Sequence, residues 1–448
     1  MAVTVGPSTY FDPARVEELD EVTASLVRRR IAALGPAYRL FYDRPLQLVR
    51  GEGCHLYDVD GVEYLDAYNN VPSVGHAHPR VVAAIAEQAA QLTTHTRYLH
   101  EGIVRYSEEL LATMPDEIGH VMYTCTGSEA GDLAMRLAKH TTGGTGVVVT
   151  RNAYHGVTTE VAALSPSLGG LDSLPDWVRV VPAPDAYRVD TTGYAGLGEW
   201  FAAQVQAAID DLEAHGIRFA AFVADSVFAS DGVLADPRGF LVPVRDVVHR
   251  AGGLYVADEV QPGFGRTGDE LWGFARHGSE DAPFVPDLVV MGKPMGNGYP
   301  VAATAMRPEV AERFGRDMRY FNTFGGNPVA MAAAQAVLDV LRDEGLQENA
   351  RLVGERLRAQ VRGLDHACVG DVRGAGLFTG VELVHPDGSE DGDLALAVVN
   401  GLQRRRVLVA TGGLNNNVLK VRPPLCFSDD DADRFVTELD AVLTELHA

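Results

Sequence analysis

Valine-rich apolar runs recur through the middle of the chain, each bounded by a helix-like segment. The runs are "VVVT" (147–150), "FAAFVAD" (219–225), "LYVADEV" (254–260) and "DLVVMG" (287–292). Between them lie segments such as "GEWFAAQVQAAIDDLEAHG" (198–216) and "PVRDVVHRAGG" (243–253). Apolar runs this short predict strands buried on both faces, and the intervening segments predict amphipathic helices. That alternation predicts an α/β fold, with a mostly parallel sheet covered by helices on both faces. Ligands of such sheets bind beyond the carboxyl ends of the strands. Asp225, Asp258 and Lys293 stand at or just past those ends.

The pattern changes near residue 325. "NPVAMAAAQAVLDVLRDEG" (327–345) predicts one long helix, a bridge to a smaller α+β domain. That domain would hold the strand-like pieces "GDVRGAGLFTGVELV", "VLVATGG" and "NVLKVRPPLCFS", and a closing helix over 429–447. Near the start, "GEGCHLYDVDGVEYLDAYNN" (51–70) predicts a hairpin with "DG" at its turn. Two short strands rarely stand alone, so this hairpin is expected to pack with the C-terminal domain. The expected division is an N-terminal segment (1–75), a large domain (76–325) and a small domain (326–448). No internal repeat or low-complexity linker interrupts it.

Composition narrows the function. A formal net charge of −23 leaves nothing broad and basic to neutralise a polyanion, so no nucleic-acid partner is expected. The cluster Arg28–Arg30 reads as a solvated helix face. The four cysteines (Cys54, Cys125, Cys368, Cys426) show no metal-ligand spacing, so no metal is expected and a reducing compartment is. The N-terminus lacks an apolar leader core, and no uncharged run reaches the ~18 residues of a membrane span. The expectation is a cytoplasmic protein with no membrane partner.

Only three of the 38 basic residues are lysines: Lys139, Lys293 and Lys420. Where arginine is the usual positive charge, a lysine draws attention, because an amine can lose its proton and attack a carbonyl. Lys293 follows a buried strand and precedes glycines at 296 and 298. Lys139 sits near a helix end, where a surface cation suits the dipole. "YTCTGSEAGDLAMRLAKH" (123–140) turns from strand to helix through Thr126, Gly127 and Ser128. Its first-turn N–H groups suit a phosphate, and Ser128 equally suits a plain N-cap; the residues leave both open. Asp258, at a strand end, adds an acid. A lysine, an acid and a phosphate cradle are what pyridoxal 5′-phosphate requires.

In order and spacing, "TGSEA", "AYHG", "ADEVQPGFGRTG", "MGKPMGNGYPVAA" and "FNTFGGNP" resemble the motifs of class III pyridoxal-phosphate-dependent aminotransferases. The resemblance runs from about residue 25 to the C-terminus. It implies fold type I and a homodimer with its active site at the subunit interface. It implies Lys293 as the lysine that bonds the cofactor and then moves protons at the substrate carbon. Asp258 would pair with the pyridinium nitrogen, and Gly127 and Ser128 would hold the cofactor phosphate, joined by Thr323 of the partner subunit. Tyr154 would stack on the ring, Val260 would pack on its other face, and Gln261 would touch the phenolic oxygen.

Two departures bear on the substrate. Relatives place a carboxylate-binding arginine three residues before the C-terminal "PPL"; here that position holds Lys420, and the arginine appears at Arg422. Many also carry a glutamate late in an "EP…G" loop. Here "ADSVFASDGV" (224–233) puts Asp225 and Ser226 for "EP" and Ser230 in the glutamate's place, with Asp231 adjacent as a possible substitute. "NNVPSVGH", "TRYLH", "KPMGNG" and "NVLKVRPPLCF" resemble the phospho-lyase subgroup. That subgroup removes phosphate from O-phosphoethanolamine, giving acetaldehyde and ammonia, or from 5-phosphohydroxylysine. A small phosphorylated amine is thus the expected substrate. Candidate phosphate ligands are Lys420, Arg97, His100, Asn69 and Arg422, the last on the same strand face as Lys420. Arg97 tying down a helix start and Arg422 lying on the surface are the plainer readings.

Transamination with pyruvate or 2-oxoglutarate as acceptor is the alternative reading, and a catalytically silent cofactor-binding regulator is a further one. A nicotinamide enzyme would need a GxGxxG turn, which "TCTGSEAG" is not.

Overall fold

A computed structural model describes residues 10–447. Its central sheet has seven strands. In spatial order they are His120–Thr124, Ala302–Met306, Leu288–Met291, Leu254–Asp258, Phe219–Asp225, Gly146–Thr150 and Val178–Val181. The last five are mutually parallel, as the apolar runs predict. Ala302–Met306 runs antiparallel to both its neighbours. Its alanine-rich sequence gives no strand signal, and its pairing on both sides supplies what propensity does not.

Side chains alternate between the two faces of these strands. Phe222, Tyr255, Ala257 and Val289 join one apolar cluster with Phe201, Val205 and Val248, from the helices Leu197–Ala214 and Val242–Arg250. Ala221, Val223, Val256 and Val290 join the other, with Leu133 and Leu137 of the helix Gly127–Thr142. Both faces are therefore dry, and polar groups can meet a ligand only at the carboxyl ends.

A second, antiparallel sheet follows the order Val369–Ala375, Phe378–Leu383, Val418–Val421, Ala410–Gly412. The helices Leu346–Arg362, Gly392–Arg404 and Asp429–His447 accompany it. The "DG" hairpin forms between His55–Asp58 and Glu63–Asp66, with Gly61 at φ 78°, a left-handed turn position. Glu63–Asp66 then pairs in parallel with Val407–Leu408, so the two ends of the chain share one sheet. The long helix is Pro328–Asp343, capped by Asn327 through the amide of Ala330. It packs on the helices Pro79–Gln91 and Glu101–Leu111, on the Lys293 turn, and on Leu346–Arg362.

Arg28 lies on the exposed side of the helix Glu21–Leu34 and pairs with Glu17 at 2.7 Å. Lys139 meets Glu160 and lies 3.9 Å from the Trp177 ring centroid. Among the described residues, no helix is long and apolar enough to cross a membrane.

Candidate active site

A cleft opens at the carboxyl edge of the central sheet, lined by Gly127, Ser128, Tyr154, His155, Gly156, Asp258, Val260, Gln261 and Lys293. Every cofactor residue singled out in the sequence lies in it except Thr323. Lys293 begins a single 3₁₀ turn that ends at Asn297 in the left-handed region (φ 50°). The Asn297 side chain accepts from Val74 N at 3.0 Å and donates to the Gly75 carbonyl at 2.9 Å. These bonds fasten the lysine turn to the N-terminal segment. The Lys293 amine lies 5.9 Å from the Tyr154 ring centroid. Burial and the charge of Arg422 push its ammonium down to about 8, against the opposing pull of Asp258 and Asp225.

Asp258 closes its strand with Oδ2 2.7 Å from His155 Nδ1, while Oδ1 accepts from Val260 N at 3.1 Å. The other ring nitrogen of His155 is buried without a hydrogen-bond partner. His155 carries no role in the sequence reading. Its signal is its place in "AYHG", beside Tyr154.

The helix Gly127–Thr142 is capped by Thr126, whose hydroxyl accepts from Glu129 N at 3.1 Å, and Glu129 reaches back to Thr126 N at 3.0 Å. Ser128 is therefore not the N-cap. Its hydroxyl instead accepts from Val157 N at 3.1 Å. The box leaves the amides of Gly127 and Ser128 without intrahelical partners, at the positive end of the helix dipole. Glycines keep this corner open. A Cβ on Gly127 would meet Val260 at 3.1 Å, and one on Gly156 (φ 140°) would meet Ser128 Oγ at 2.5 Å.

A cationic pair, Lys420 and Arg422, adjoins the cleft through Gln261, although neither is among its lining residues. Lys420, on Val418–Val421, has no ion-pair partner among the described residues. Burial and repulsion from Arg422 and Lys293 push it down to about 7, with Asp225 and Asp231 opposing. Gly412 makes room for it, since a Cβ there would meet Lys420 Cε at 2.6 Å. Arg422 is buried rather than on the surface. It lies just past the end of that strand, its guanidinium 4.5 Å from the Tyr68 ring centroid and donating to Gln261 Oε1. Gln261 Nε2 in turn donates to Asp225 Oδ2 at 3.4 Å. Burial, followed by the Asp258 charge, raises Asp225 to about 7.

Asp231 does not replace the missing glutamate. Its Oδ2 accepts from Thr150 Oγ1 at 2.7 Å and its Oδ1 from Asn152 N at 3.1 Å, so both oxygens are engaged below the cleft. Burial raises it to about 6.

Asn69, Arg97, His100 and Thr323 do not line the cleft of their own chain. Asn69 donates its backbone N–H to Asp66 Oδ1 at 2.9 Å. His100, not Arg97, ties down a helix start, accepting from Gly102 N at 3.1 Å. Arg97 lies 3.9 Å from the centroid of the Phe321 ring. Thr323 is exposed next to Asn322, which reaches Glu129 at 3.4 Å. Tyr98, Leu99, Phe321 and Phe324 around them are exposed.

These groups match what pyridoxal phosphate needs. The free helix amides and the glycine-lined corner suit its phosphate. The buried Asp258–His155 pair suits a protonated ring nitrogen, and Tyr154 and Val260 offer two flanking surfaces within reach of an amine with a lowered pKa.

Comparison with known proteins agrees with this geometry. The family model Aminotransferase class-III matches residues 41–443. An alanine–glyoxylate aminotransferase 2-like protein of Drosophila melanogaster is 41% identical, over 93% of this chain and 86% of its own length. Ethanolamine-phosphate phospho-lyase homolog 1 of Caenorhabditis elegans is 38% identical, over 94% and 93%. The structure of an Arthrobacter phospholyase in complex with phosphoethanolamine superposes with a TM-score of 0.89 at 40% identity, covering 94% of this chain and 99% of that one.

Proposed function

This chain belongs to the pyridoxal-phosphate-dependent class III aminotransferases, and from that premise we propose that it removes phosphate from O-phosphoethanolamine. The products are acetaldehyde, ammonia and inorganic phosphate. One observation carries the reading: Lys420 is a half-buried amine with no ion pair among the described residues, beside Arg422, which bonds to Gln261 of the cleft. A buried charge left unpaired is strongly unfavourable unless a ligand pairs it, and the dianionic phosphate of a small amine does so. The phosphoethanolamine bound to the Arthrobacter phospholyase is such a molecule.

Pyridoxal phosphate, when bound, supplies the electron sink that makes a proton on the amine-bearing carbon acidic. Lys293 accepts that proton near neutral pH, because its amine is already poised at about 8. Asp258, oriented by His155, holds the charge that keeps the sink protonated. Tyr154 and Val260 fix the plane in which the amine carbon is presented. Lys420 and Arg422 hold the substrate phosphate and stabilise the negative charge it carries away as the carbon–oxygen bond breaks. Gln261 keeps Arg422 in place. Phosphate leaves far more readily than hydroxide, so departure outruns return of the proton, and water completes the conversion to acetaldehyde and ammonia. With Ser230 in the glutamate's place and Asp231 engaged elsewhere, Arg422 has no ion pair with a carboxylate among the described residues, and Asp225 reaches it only through Gln261. That absence supports a reaction without an acceptor.

Transamination with pyruvate or 2-oxoglutarate is the second reading. Arg422, a buried guanidinium bonded to Gln261 of the cleft, favours it, as does the likeness to the Drosophila protein. A phosphohydroxylysine substrate would use the same groups with a longer chain. The reading also places Arg97, His100 and Asn69 near the substrate, and Thr323 of the partner subunit near the cofactor phosphate, in a cytoplasmic homodimer. The exposed apolar side chains Tyr98, Leu99, Phe321 and Phe324 around Thr323 support the dimer. Light scattering that returns a monomer at micromolar concentration would rule it out.

The deciding assay gives the cofactor-loaded enzyme O-phosphoethanolamine with no keto acid present. Equal release of phosphate and acetaldehyde is expected. No phosphate release in that assay, together with amino-group transfer once pyruvate is added in a second one, would establish transamination instead.

A further inference from the structure

Cys54 and Cys426 are 372 positions apart in sequence, and their sulfurs lie 3.4 Å apart. Cys54 is buried in the tight turn between Leu48–Glu52 and His55–Asp58. Cys426 is half-buried just after the paired prolines, and Gly75 leaves space for its sulfur, since a Cβ there would come within 2.9 Å of it. Both are free thiols, and the proposed reaction uses neither.

Arg266 lies beside them, fully buried. It forms no ion pair with a carboxylate among the described residues. Nη1 donates to the Leu377 carbonyl at 3.1 Å and to the Pro423 carbonyl, while buried Nη2 has no hydrogen-bond partner. Its charged neighbours are Arg422, which repels it, and the two cysteines, which attract it once ionised. A buried guanidinium without a counter-ion favours a thiolate nearby. Either sulfur can donate the hydrogen bond between them, and Cys426, half-buried where Cys54 is buried, is the one a solute can reach; with Cys54 donating, the Cys426 thiol is held below the usual range and Cys54 well above it. Asp66, Asp431 and Glu344 oppose ionisation here.

We propose that Cys54 and Cys426 form a redox-active dithiol site, which a hydroperoxide converts to an intramolecular disulfide. The Cys426 thiolate attacks one peroxide oxygen. The O–O bond breaks, the other oxygen leaves as an alcohol or water after protonation, and the sulfur loses two electrons to become a sulfenic acid. Cys54 sulfur then attacks that sulfur: the S–S bond forms, the S–O bond breaks, and the Cys54 proton departs with the hydroxide as water. A dithiol reductant reverses the step by exchange. Closing the sulfurs to a bond of ~2.05 Å draws the Leu425–Cys426 segment toward the hairpin turn. That segment reaches the cleft by Leu425 N on the Ser73 carbonyl at 2.7 Å and Ser73 Oγ on the Pro294 carbonyl at 3.2 Å, next to Lys293.

The test treats the full-length holoenzyme with one equivalent of hydrogen peroxide, alkylates the remaining thiols and maps the peptides without reductant. The expected result is loss of two of the four thiols, a Cys54–Cys426 cross-linked peptide, and recovery of all four with dithiothreitol. Cys54→Ser should leave Cys426 as a dimedone-reactive sulfenic acid, and Cys426→Ser should slow peroxide consumption by at least about tenfold. Three outcomes overturn the proposal: first oxidation at Cys125 or Cys368, an oxidised Cys426 accumulating while Cys54 stays alkylatable, or no reaction at either sulfur.

Discussion

Arg422 donates a hydrogen bond to Gln261, joining the strand end before the paired prolines to the turn after Asp258. The bond crosses 161 positions of sequence and links Arg422, outside the cleft lining, to Gln261 within it. A hydrogen bond to a charged group contributes about 1.5–3 kcal/mol. Gln261→Ala should therefore raise KM for O-phosphoethanolamine by roughly ten- to a hundredfold, with a smaller fall in kcat. Steady-state kinetics that show an unchanged KM would remove Arg422 from substrate binding.

Lys293→Ala removes the amine proposed to move the substrate proton. A positioned acid–base group is worth roughly 10²–10⁴-fold, and loss of the covalent anchor adds to that. Turnover should fall by at least about a thousandfold, and the protein should lose the visible absorbance of the lysine-bound cofactor. A yellow Lys293→Ala protein with full activity would refute the assignment.

Lys420→Met should have two effects of opposite sign. The folded chain holds the Lys420 ammonium at about 7, against 10.5 for the free side chain. Between those values the unfolded chain keeps a proton that the folded chain gives up, so the charge works against folding at neutral pH and works less as pH rises toward 10. Replacing it with methionine should stabilise the protein at pH 7 by at least about 1 kcal/mol, read from urea unfolding. The same change should weaken competitive inhibition by inorganic phosphate. In the parent protein that inhibition should also weaken as pH rises through 7, whereas the variant should lose this dependence. A variant that is less stable yet still binds phosphate contradicts both halves.

Gly156→Ala tests the cradle. The residue sits at φ 140°, and a Cβ would come within 2.5 Å of Ser128 Oγ and 2.9 Å of Ser128 Cα. One of those neighbours is backbone, so the strain cannot be relieved by a rotamer change. A loss of about 1–3 kcal/mol in stability is expected, with weaker retention of the cofactor in dialysis. Wild-type stability and retention together would show that the corner is more pliable than its packing implies.

The cofactor end of the cleft is legible in the sequence because its parts are local. Asp258 and Lys293 each follow an apolar run that can only be a buried strand, and Gly127 stands where a strand turns into a helix. The Thr126–Glu129 capping box is equally readable from its T-x-x-E spacing, and it decides the question that the residues around Ser128 leave open, by putting the cap at Thr126. The substrate end is less legible. Asp231 adjoins Ser230, but adjacency does not say which way a side chain points, and Thr150 and Asn152 decide that from another strand. The Arg422–Gln261 bond and the Cys54–Cys426 pair join residues far apart in sequence, and no periodicity reports on such contacts. Ala302–Met306 was missed because alanine has little strand preference of its own.

The hairpin that pairs with Val407–Leu408 sets the order in which the protein can assemble. Leu65 and Ala67 bond to Arg406 and Leu408, each 341 positions further along the chain. Contacts of such long span form slowly, because the intervening loop must close first. The cleft's cofactor half, from Gly127 to Lys293, lies within a shorter stretch and is free to form earlier. Pulse-labelled hydrogen exchange during refolding should therefore protect the amides of Val256 and Ala257 before those of Leu65 and Ala67; simultaneous protection would show a single cooperative step. The newborn chain then holds a place for its cofactor before it can grip a substrate.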